Sequence, residues 1–167
     1  AATRPEGINW PLKEDGSNSF KLDQLTVANG IAHADAHDAL ADVIATIEIA
    51  KLIKSKQPKL YDFAFGLRNK KKVQAQLNTE SKKPVLNVSM LYPAIRGCLA
   101  VIMHLSKHPT NNNGVIVYDL RVDPTQWINL SVDEIKARIY TRSDQLPKGV
   151  ERIPLTTIHI NKCPMVT

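Results

Sequence analysis

One repeating pattern between residues 36 and 55 constrains the fold of this chain more than any other feature. Apolar residues recur there every three or four positions, at 36, 39, 40, 43, 44, 47, 50 and 53, which is the period of an amphipathic α-helix. Asp35 is placed to cap this helix, with Asp38 three residues further on. Lysines close the helix, in keeping with its dipole, and Gln57–Pro58 ends it. With 167 residues, the chain is long enough to bury a core without disulfides or metals.

Helical patterns also lie on both sides of this element. Residues 22–28 predict a short helix that Asn29–Gly30 stops. A further helix is expected from Leu60 to Leu77, with aromatic residues near its start. The first part of the chain is therefore expected to be mainly helical.

The pattern changes after Pro84. Residues 85–89, 115–120 and 155–160 are β-branched or alternate between apolar and polar side chains, which predicts strands. The stretch Asn111–Gly114 is a strong turn signal between two of them. Ser131 and Glu134 form the signature of a capping box and open a helix through Tyr140. The sequence thus predicts an α+β chain whose helical and β-rich parts meet between residues 58 and 84.

The positive charge is concentrated in that boundary region. Residues 51–83 contain ten Lys and Arg against two Asp and Glu, a net +8 in a chain whose total is +6. Such a concentration is typical of a polyanion-binding site, although solvated lysine runs on ordinary surfaces have the same composition. There is no run of 18 apolar residues and no secretory signal, and two cysteines without C-x-x-C spacing make no disulfide framework. We therefore expect a cytoplasmic protein without membrane contact.

The residues best suited to chemistry lie at the start of the long helix. Residues 33–42 contain two histidines and three aspartates. Asp42 is placed to reach a hard cation such as Mg²⁺, and His37 to act as a general base on a nearby water. A zinc site has less support, because His33 and His37 have no further ligand at a suitable spacing. The alternative is an ordinary helix start, where the dipole favours acidic residues.

The stretch His37–Asp42 matches the pattern H-x-A-x-x-D and resembles the third exonuclease motif of the DEDDh, or DnaQ-like, family of 3′→5′ exonucleases. Residues 19–46, Arg4–Pro11 and His159–Pro164 are similar, more narrowly, to the bacterial exodeoxyribonuclease I family. The resemblance extends over essentially the whole chain. It implies a fragment, because the D-x-E and N-x-x-F-D motifs that lie upstream in the family do not occur in this sequence.

The resemblance also implies an architecture. The family has an exonuclease domain of the ribonuclease-H-like type, then a small barrel resembling Src homology 3, then a helical domain, which together form a clamp around single-stranded DNA. On that pattern residues 1–57 are the C-terminal part of the exonuclease domain, helical in this chain. Residues 58–167 are then most of the β-rich, Src-homology-3-like domain. The expected fold class is therefore α+β.

The activity implied is hydrolysis of the 3′-terminal phosphodiester of single-stranded DNA to 5′-mononucleotides with two Mg²⁺ ions, in DNA repair and recombination. His37 would be the catalytic residue that orients or deprotonates the attacking water, and Asp42 would be a metal ligand. The two other carboxylates of the family's site lie upstream of this sequence. We therefore expect this chain alone to be inactive as a nuclease.

The family's DNA contacts also find counterparts here. Lys21, Arg68 and Lys70 are the expected phosphate contacts, and Asn113 and Lys162 are candidates on the barrel side. Aromatic residues are few, so base stacking has few candidates. They are Phe20, Tyr92 and Tyr140.

A protein partner is implied as well. The family binds the acidic, apolar C-terminal tail of single-stranded-DNA-binding protein. Basic and apolar side chains together would suit such a ligand, and Arg4, Phe63 and Lys83 are the candidates for this tail. Apart from this partner and DNA, the protein is expected to be a monomer.

Two other functions fit part of the same pattern. A non-catalytic module that binds single strands or recruits a partner would keep the basic stretch and the barrel, with His37 and Asp42 as relics. A different DEDDh enzyme, such as an oligoribonuclease or a polymerase proofreading subunit, has less support because those enzymes have no barrel-like extension.

Overall fold

The structure is a computed structural model that describes residues 1–32 and 38–167. These residues form two compact units. The first comprises Ala1–Arg68 and Val88–Leu99, and the second comprises Asn69–Asn87 and Ala100–Thr167. The assignment of residues 1–57 and 58–167 to an exonuclease domain and a barrel domain stays a prediction. Among the described residues, no helix has the length and apolar character needed to cross a membrane.

The first unit is mainly helical. Its helices are α1 (Leu22–Ala28), α2 (Ala39–Lys56) and α3 (Pro58–Gly66). The range of α1 is the predicted one, and its C-cap is Asn29. The Asn29 side-chain amide donates hydrogen bonds to the carbonyls of Leu25 and Asn9, both at 2.8 Å. This amide therefore ties the irregular N-terminal segment to the end of α1.

Helix α2 begins later than its apolar pattern predicts. Its N-cap is Asp38, which has an extended backbone. The Asp38 carboxylate accepts hydrogen bonds from the backbone N–H groups of Leu40 and Ala41, each at 3.1 Å. The expectation of Asp35 as the cap is therefore wrong, because Asp38 already occupies the capping position. Asp35 itself lies outside the described residues. The predicted end is confirmed, since α2 stops at Lys56 with Gln57 as its C-cap.

The apolar face of α2 is only partly covered. Ala45 is fully buried, whereas Leu40 is 67% exposed and Val43 is 54% exposed. Ile44 and Ile47 are also exposed. The 3.6-residue period thus correctly predicts a helix, but the described residues leave the first half of its apolar face open.

The single helix expected from Leu60 to Leu77 is in fact two helices. α3 ends at Gly66, and α4 spans Lys70–Gln76 in the second unit. The break has a local cause, because the side chain of Asn69 accepts the N–H of Lys71 at 2.9 Å and starts a new helix as its N-cap.

The second unit is built on a sheet that has five strands within the described residues, and all of the sheet except Val88 and Leu99 belongs to this unit. The strands are β1 (Val85–Val88), β2 (Leu99–Lys107), β3 (Gly114–Asp119), β4 (Leu155–His159) and β5 (Met165–Val166). Their order is β4-β3-β2-β1-β5, and β3 pairs antiparallel with β2 and β4. β1, β3 and β4 lie within one residue of their predicted ranges, whereas the sequence pattern does not predict β2 and β5.

Strand β2 contains a bulge. His104 pairs with Val117 and Ser106 pairs with Ile116, so Leu105 is an extra residue on this strand. Beyond the bulge, Lys107 lies opposite the buried Val115. The bulge interrupts the two-residue alternation by which a strand is recognised in a sequence.

A small core in the second unit packs the sheet against α5 (Val132–Tyr140). Tyr118, Trp127 and Ile153 are its buried residues. Partly buried apolar side chains surround them, namely Val122, Leu130, Ile135, Ile139 and Leu155. The predicted capping box is confirmed at the start of α5.

Candidate nucleic-acid interface

Two of the predicted DNA contacts, Lys70 and Asn113, meet in the second unit. Lys70 is the first residue of α4, and Asn113 ends the turn before β3. The Lys70 ammonium donates a hydrogen bond to Asn113 Oδ1 at 2.6 Å across a separation of 43 residues. The fold therefore places a cation beside an amide at one point of the surface.

The turn that carries Asn113 is well anchored. The Asn113 N–H donates to Asn111 Oδ1 at 2.9 Å, and the Asn113 carbonyl accepts the Ile160 N–H at 2.8 Å. Lys162 follows in the same segment, where its N–H donates to the His159 carbonyl at 3.1 Å and its side chain is exposed. The barrel-side candidates Asn113 and Lys162 thus belong to two segments that are hydrogen-bonded to each other.

A cavity of about 350 Å³ adjoins this turn. Its lining combines apolar side chains with polar side chains. The polar residues are Gln74, Asn78, Thr79, Glu80, Lys107 and Asn112, and Leu77, Val115 and Ile160 are the apolar ones. Sequence reasoning missed this cavity because its lining comes from segments far apart in the chain.

Asp42, the predicted metal ligand, lies in the first turn of α2 and is half-buried. Its N–H donates to the Asp38 carbonyl at 3.0 Å, and its carbonyl accepts the Thr46 hydroxyl at 2.8 Å. His37 lies outside the described residues, so its position relative to Asp42 stays a prediction. Within residues 1–32 and 38–167, no group of three His, Cys, Asp or Glu side chains could hold a metal ion. Asp42 therefore does not make a two-metal site with the described residues alone, and no catalytic step follows from them.

The other predicted phosphate contacts of the first unit lie at helix ends. Lys21 precedes α1 and is exposed. Arg68 follows α3, and its guanidinium carbon lies 3.8 Å from the centroid of the Phe65 ring. The Phe65 ring is stacked on Tyr61, with centroids 5.9 Å apart and planes 14° apart. The Lys54 ammonium lies 5.5 Å from the Tyr61 centroid at the other end.

We call these four side chains, Lys54, Tyr61, Phe65 and Arg68, the cation–aromatic column. Sequence reasoning named Arg68 but missed the column. The available signal was the spacing of Tyr61, Phe65 and Arg68, which are four and three residues apart and so share one helix face.

The candidate residues for a partner tail are divided between the two units. Arg4 and Phe63 belong to the first unit, where the Arg4 carbonyl accepts the Gln57 side-chain amide and Phe63 is exposed on α3. Lys83 belongs to the second unit and is exposed. Their common role stays a prediction.

The candidates for base stacking also have different surroundings. Phe20 makes an edge contact with Trp10, with centroids 6.0 Å apart. Tyr92 is half-buried, and Tyr140 is 81% exposed. Tyr140 therefore has the most open ring of the three.

Comparison with known proteins identifies relatives of this chain. The model of the Exonuclease I SH3-like domain matches residues 68–167. Exodeoxyribonuclease I of Escherichia coli strain K12 is 46% identical over 165 residues, which cover 99% of this chain and 34% of that protein.

Solved structures agree with these matches. Exonuclease I from Methylocaldum szegediense superposes with a TM-score of 0.91 at 52% identity, covering 98% of this chain and 34% of that one. E. coli Exonuclease I in complex with a dA16 oligonucleotide superposes with a TM-score of 0.92 at 45% identity. The match covers 99% of this chain and 35% of that one. The chain thus spans about a third of the length of these relatives.

The comparisons confirm the predicted α+β fold and its Src-homology-3-like part. The matched range includes α4, the sheet and the turn at which Lys70 meets Asn113. The best-defined candidate contacts therefore lie within the domain that the match describes. Since that domain accounts for more than half of the sequence, the chain belongs to the exonuclease I family.

Proposed function

We propose that this chain is part of a 3′→5′ exodeoxyribonuclease that degrades single-stranded DNA to 5′-mononucleotides in the cytoplasm, in DNA repair and recombination. The observation that supports this most is its 46% identity with E. coli exodeoxyribonuclease I over 99% of its own length. Because the chain spans only 34% of that relative, the hydrolysis is proposed for the longer polypeptide of the family and not for these residues alone.

In this proposal Asp42 is a ligand of Mg²⁺, and His37 orients or deprotonates the attacking water. A carboxylate is the hard oxygen ligand that Mg²⁺ prefers. When bound, such ions supply charge stabilisation to the attacking and leaving oxygens. The other carboxylates would come from the motifs that the family carries upstream. A related structure is described as a zinc-bound form of the E. coli exonuclease I complex with single-stranded DNA, which supports a divalent cation in this family.

DNA binding is proposed for Lys21, Arg68, Lys70, Asn113 and Lys162. The pair in the second unit has the clearest support, because a hydrogen bond of 2.6 Å holds the Lys70 ammonium on an anchored turn. The remaining N–H donors of that ammonium can bind phosphate oxygens without reading sequence.

A protein partner is proposed as well. One solved structure similar to this chain is described as an ExoI/SSB-Ct complex. We propose that Arg4, Phe63 and Lys83 contribute to binding the corresponding tail of single-stranded-DNA-binding protein. Exposed cationic and aromatic side chains suit an acidic, apolar peptide.

The proposed DNA contact at Lys70 is tested by fluorescence anisotropy of a labelled single-stranded oligonucleotide over a salt series. Removing one phosphate contact makes the negative slope of log K against log salt less steep by about 0.7 for a single strand. We expect Lys70→Ala to weaken binding and to make the slope less steep by that amount. Lys148→Ala removes an exposed lysine elsewhere in the same unit and is expected to change neither quantity.

Comparison with duplex DNA separates the proposed function from simple charge attraction. A preference for the single strand supports the proposal. If single-stranded and duplex DNA bind equally well, and Lys70→Ala and Lys148→Ala lose the same affinity, the basic surface attracts DNA by charge alone. The alternative of a non-catalytic binding module makes the same binding prediction and differs only in the activity of the longer polypeptide.

A further inference from the structure

The cation–aromatic column extends along one face of α3 and ends at Arg68. Tyr61 and Phe65 are one helical turn apart, and their rings are stacked nearly parallel at 14°. One face of Phe65 meets Tyr61, and the Arg68 guanidinium lies over the ring at 3.8 Å. The Lys54 ammonium lies over Tyr61. Each ring therefore contacts another ring and a cation.

The geometry restrains Arg68 without using its hydrogen-bond donors. The five N–H donors of a guanidinium lie in its plane and point outward, and the ring, 3.8 Å from the guanidinium carbon, offers no oxygen or nitrogen atom to accept a hydrogen bond from them. Arg68 itself is exposed, so these donors are open to a ligand. Phe65 thus limits the directions in which the donors point and leaves them available for phosphate.

The backbone at the end of α3 restrains the same residue. Leu67 is buried and its N–H donates to the carbonyls of Phe63 and Ala64, at 3.3 and 3.1 Å. The Arg68 N–H donates to the Phe65 carbonyl at 3.4 Å. Both ends of the Arg68 side chain are therefore held in relation to Phe65, at the base by the helix end and at the head by the ring.

We propose that Phe65 is a positioning residue that presents the Arg68 guanidinium to a phosphate of single-stranded DNA. The ring acts through Arg68 and does not itself contact the DNA. Tyr61 in turn stacks on Phe65. This inference rests on the proposed DNA contact of Arg68 and adds a residue that carries no charge to the determinants of an electrostatic interaction.

The salt dependence of binding provides a readout that a merely structural role would not change. Arg68→Ala is expected to weaken single-strand binding and to make the negative slope of log K against log salt less steep by about 0.7. Phe65→Leu removes no charge, yet we expect it also to make the slope less steep, because a freely moving guanidinium no longer holds its phosphate. The double variant should bind no more weakly than Arg68→Ala, and Phe65→Trp should retain the parent slope.

Lys59→Ala, which removes an exposed cation from the same helix outside the column, serves as the control and is expected to leave the slope unchanged.

A measurement without DNA tests the column itself. The Arg68 side-chain protons should show an upfield ring-current shift in NMR spectra of the parent chain, and Phe65→Leu should abolish that shift while the thermal melting curve stays cooperative. If Arg68→Ala weakens binding but Phe65→Leu binds with the parent slope, the positioning role is overturned and the DNA contact survives. Additive losses in the double variant also overturn it. If Arg68→Ala binds like the parent, the proposed contact fails and the positioning role fails with it.

Discussion

At the scale of single residues, the Tyr118 hydroxyl makes two hydrogen bonds in the core of the second unit. It accepts the Trp127 indole N–H at 2.9 Å and donates to the Val122 carbonyl at 3.0 Å. Burial raises the pKa of the Tyr118 phenol, while the hydrogen bond from Trp127 lowers it to a smaller extent. One oxygen thus satisfies an aromatic donor and a backbone acceptor in a small core.

We expect Tyr118→Phe to lower the free energy of unfolding by about 1–3 kcal/mol, the usual cost of leaving buried polar partners unsatisfied. The pH profile should change as well. With a raised folded-state pKa, the unfolded chain ionises first, so stability falls as the pH rises above the usual value of 10.0. The Phe variant lacks this contribution to the alkaline loss.

Denaturant titrations at neutral pH and above pH 10 measure both effects. The control is Tyr140→Phe, which changes a tyrosine that is 81% exposed and should leave stability nearly unchanged. Equal unfolding free energies for Tyr118→Phe and the parent would show that water replaces the hydroxyl without loss.

At this scale, sequence reasoning identified individual candidate side chains but not the contacts between them. Lys70 and Asn113 were each predicted as a DNA contact, yet nothing local indicates that residues 43 positions apart share a hydrogen bond. The column at Arg68 was locally visible in the spacing of Tyr61 and Phe65. It was missed because aromatic residues at that spacing ordinarily indicate only a buried helix face.

At the scale of elements, the start of α5 shows a local signal that decides the structure. Ser131 accepts the Glu134 N–H at 3.3 Å, and the Ser131 N–H and hydroxyl donate to the Glu134 carboxylate at 2.8 and 2.7 Å. These bonds use only residues within one turn. That is why the sequence predicts the start of this helix correctly.

The capping box also predicts a response to acid. The Ser131 hydroxyl and N–H hold the pKa of Glu134 below its usual value of 4.5, so protonation favours the unfolded chain. This contribution is present above pH 4.5 and is lost as the pH falls through the lowered folded-state pKa. We expect Ser131→Ala to cost about 1 kcal/mol at neutral pH, and Glu134→Gln to flatten the loss of stability in acid.

Thermal melting between pH 3 and pH 7 is the measurement for this prediction. Asp133→Asn removes the adjacent, nearly fully exposed carboxylate outside the box and is the matched control. If the melting temperatures of the parent and of Glu134→Gln fall in parallel as the pH is lowered, the capping box does not contribute to the loss of stability in acid.

Elements whose boundaries depend on a less obvious signal were predicted less well. The Asn69 cap divides one expected helix into α3 and α4, and an asparagine inside a helical pattern does not by itself indicate a break. β2 was missed because its first five residues, 99–103, are all apolar and show no two-residue alternation, and the bulge at Leu105 shifts the pattern after them.

At the scale of the whole molecule, this chain is short beside the proteins it resembles. It spans about a third of its relatives, and Asp42 joins no metal-binding group among residues 1–32 and 38–167. The exposed apolar side chains of Leu40, Val43 and Ile44 lie on the same helix as Asp42. That helix was predicted from a periodicity that reports an apolar face but not what covers it.

We therefore expect no cleavage when purified chain is added to labelled single-stranded DNA with Mg²⁺. One carboxylate is too few to hold two divalent ions at the reacting phosphate. The assay follows release of labelled mononucleotides, with Asp42→Ala as the matched variant. Cleavage by the parent that disappears in Asp42→Ala would show that the chain carries a complete active centre and would contradict this expectation.

The bulge in β2 is a place where the chain can lose one residue without a change in the pairing of the sheet. In a regular strand, the loss of one residue turns every later side chain to the opposite face. Without Leu105, however, His104 and Ser106 would become neighbours opposite Val117 and Ile116, which are already neighbours. Lys107 would keep its partner and its place at the cavity. A one-residue gap inside this strand of a sequence alignment is therefore compatible with an unchanged sheet, although gaps are usually assigned to loops.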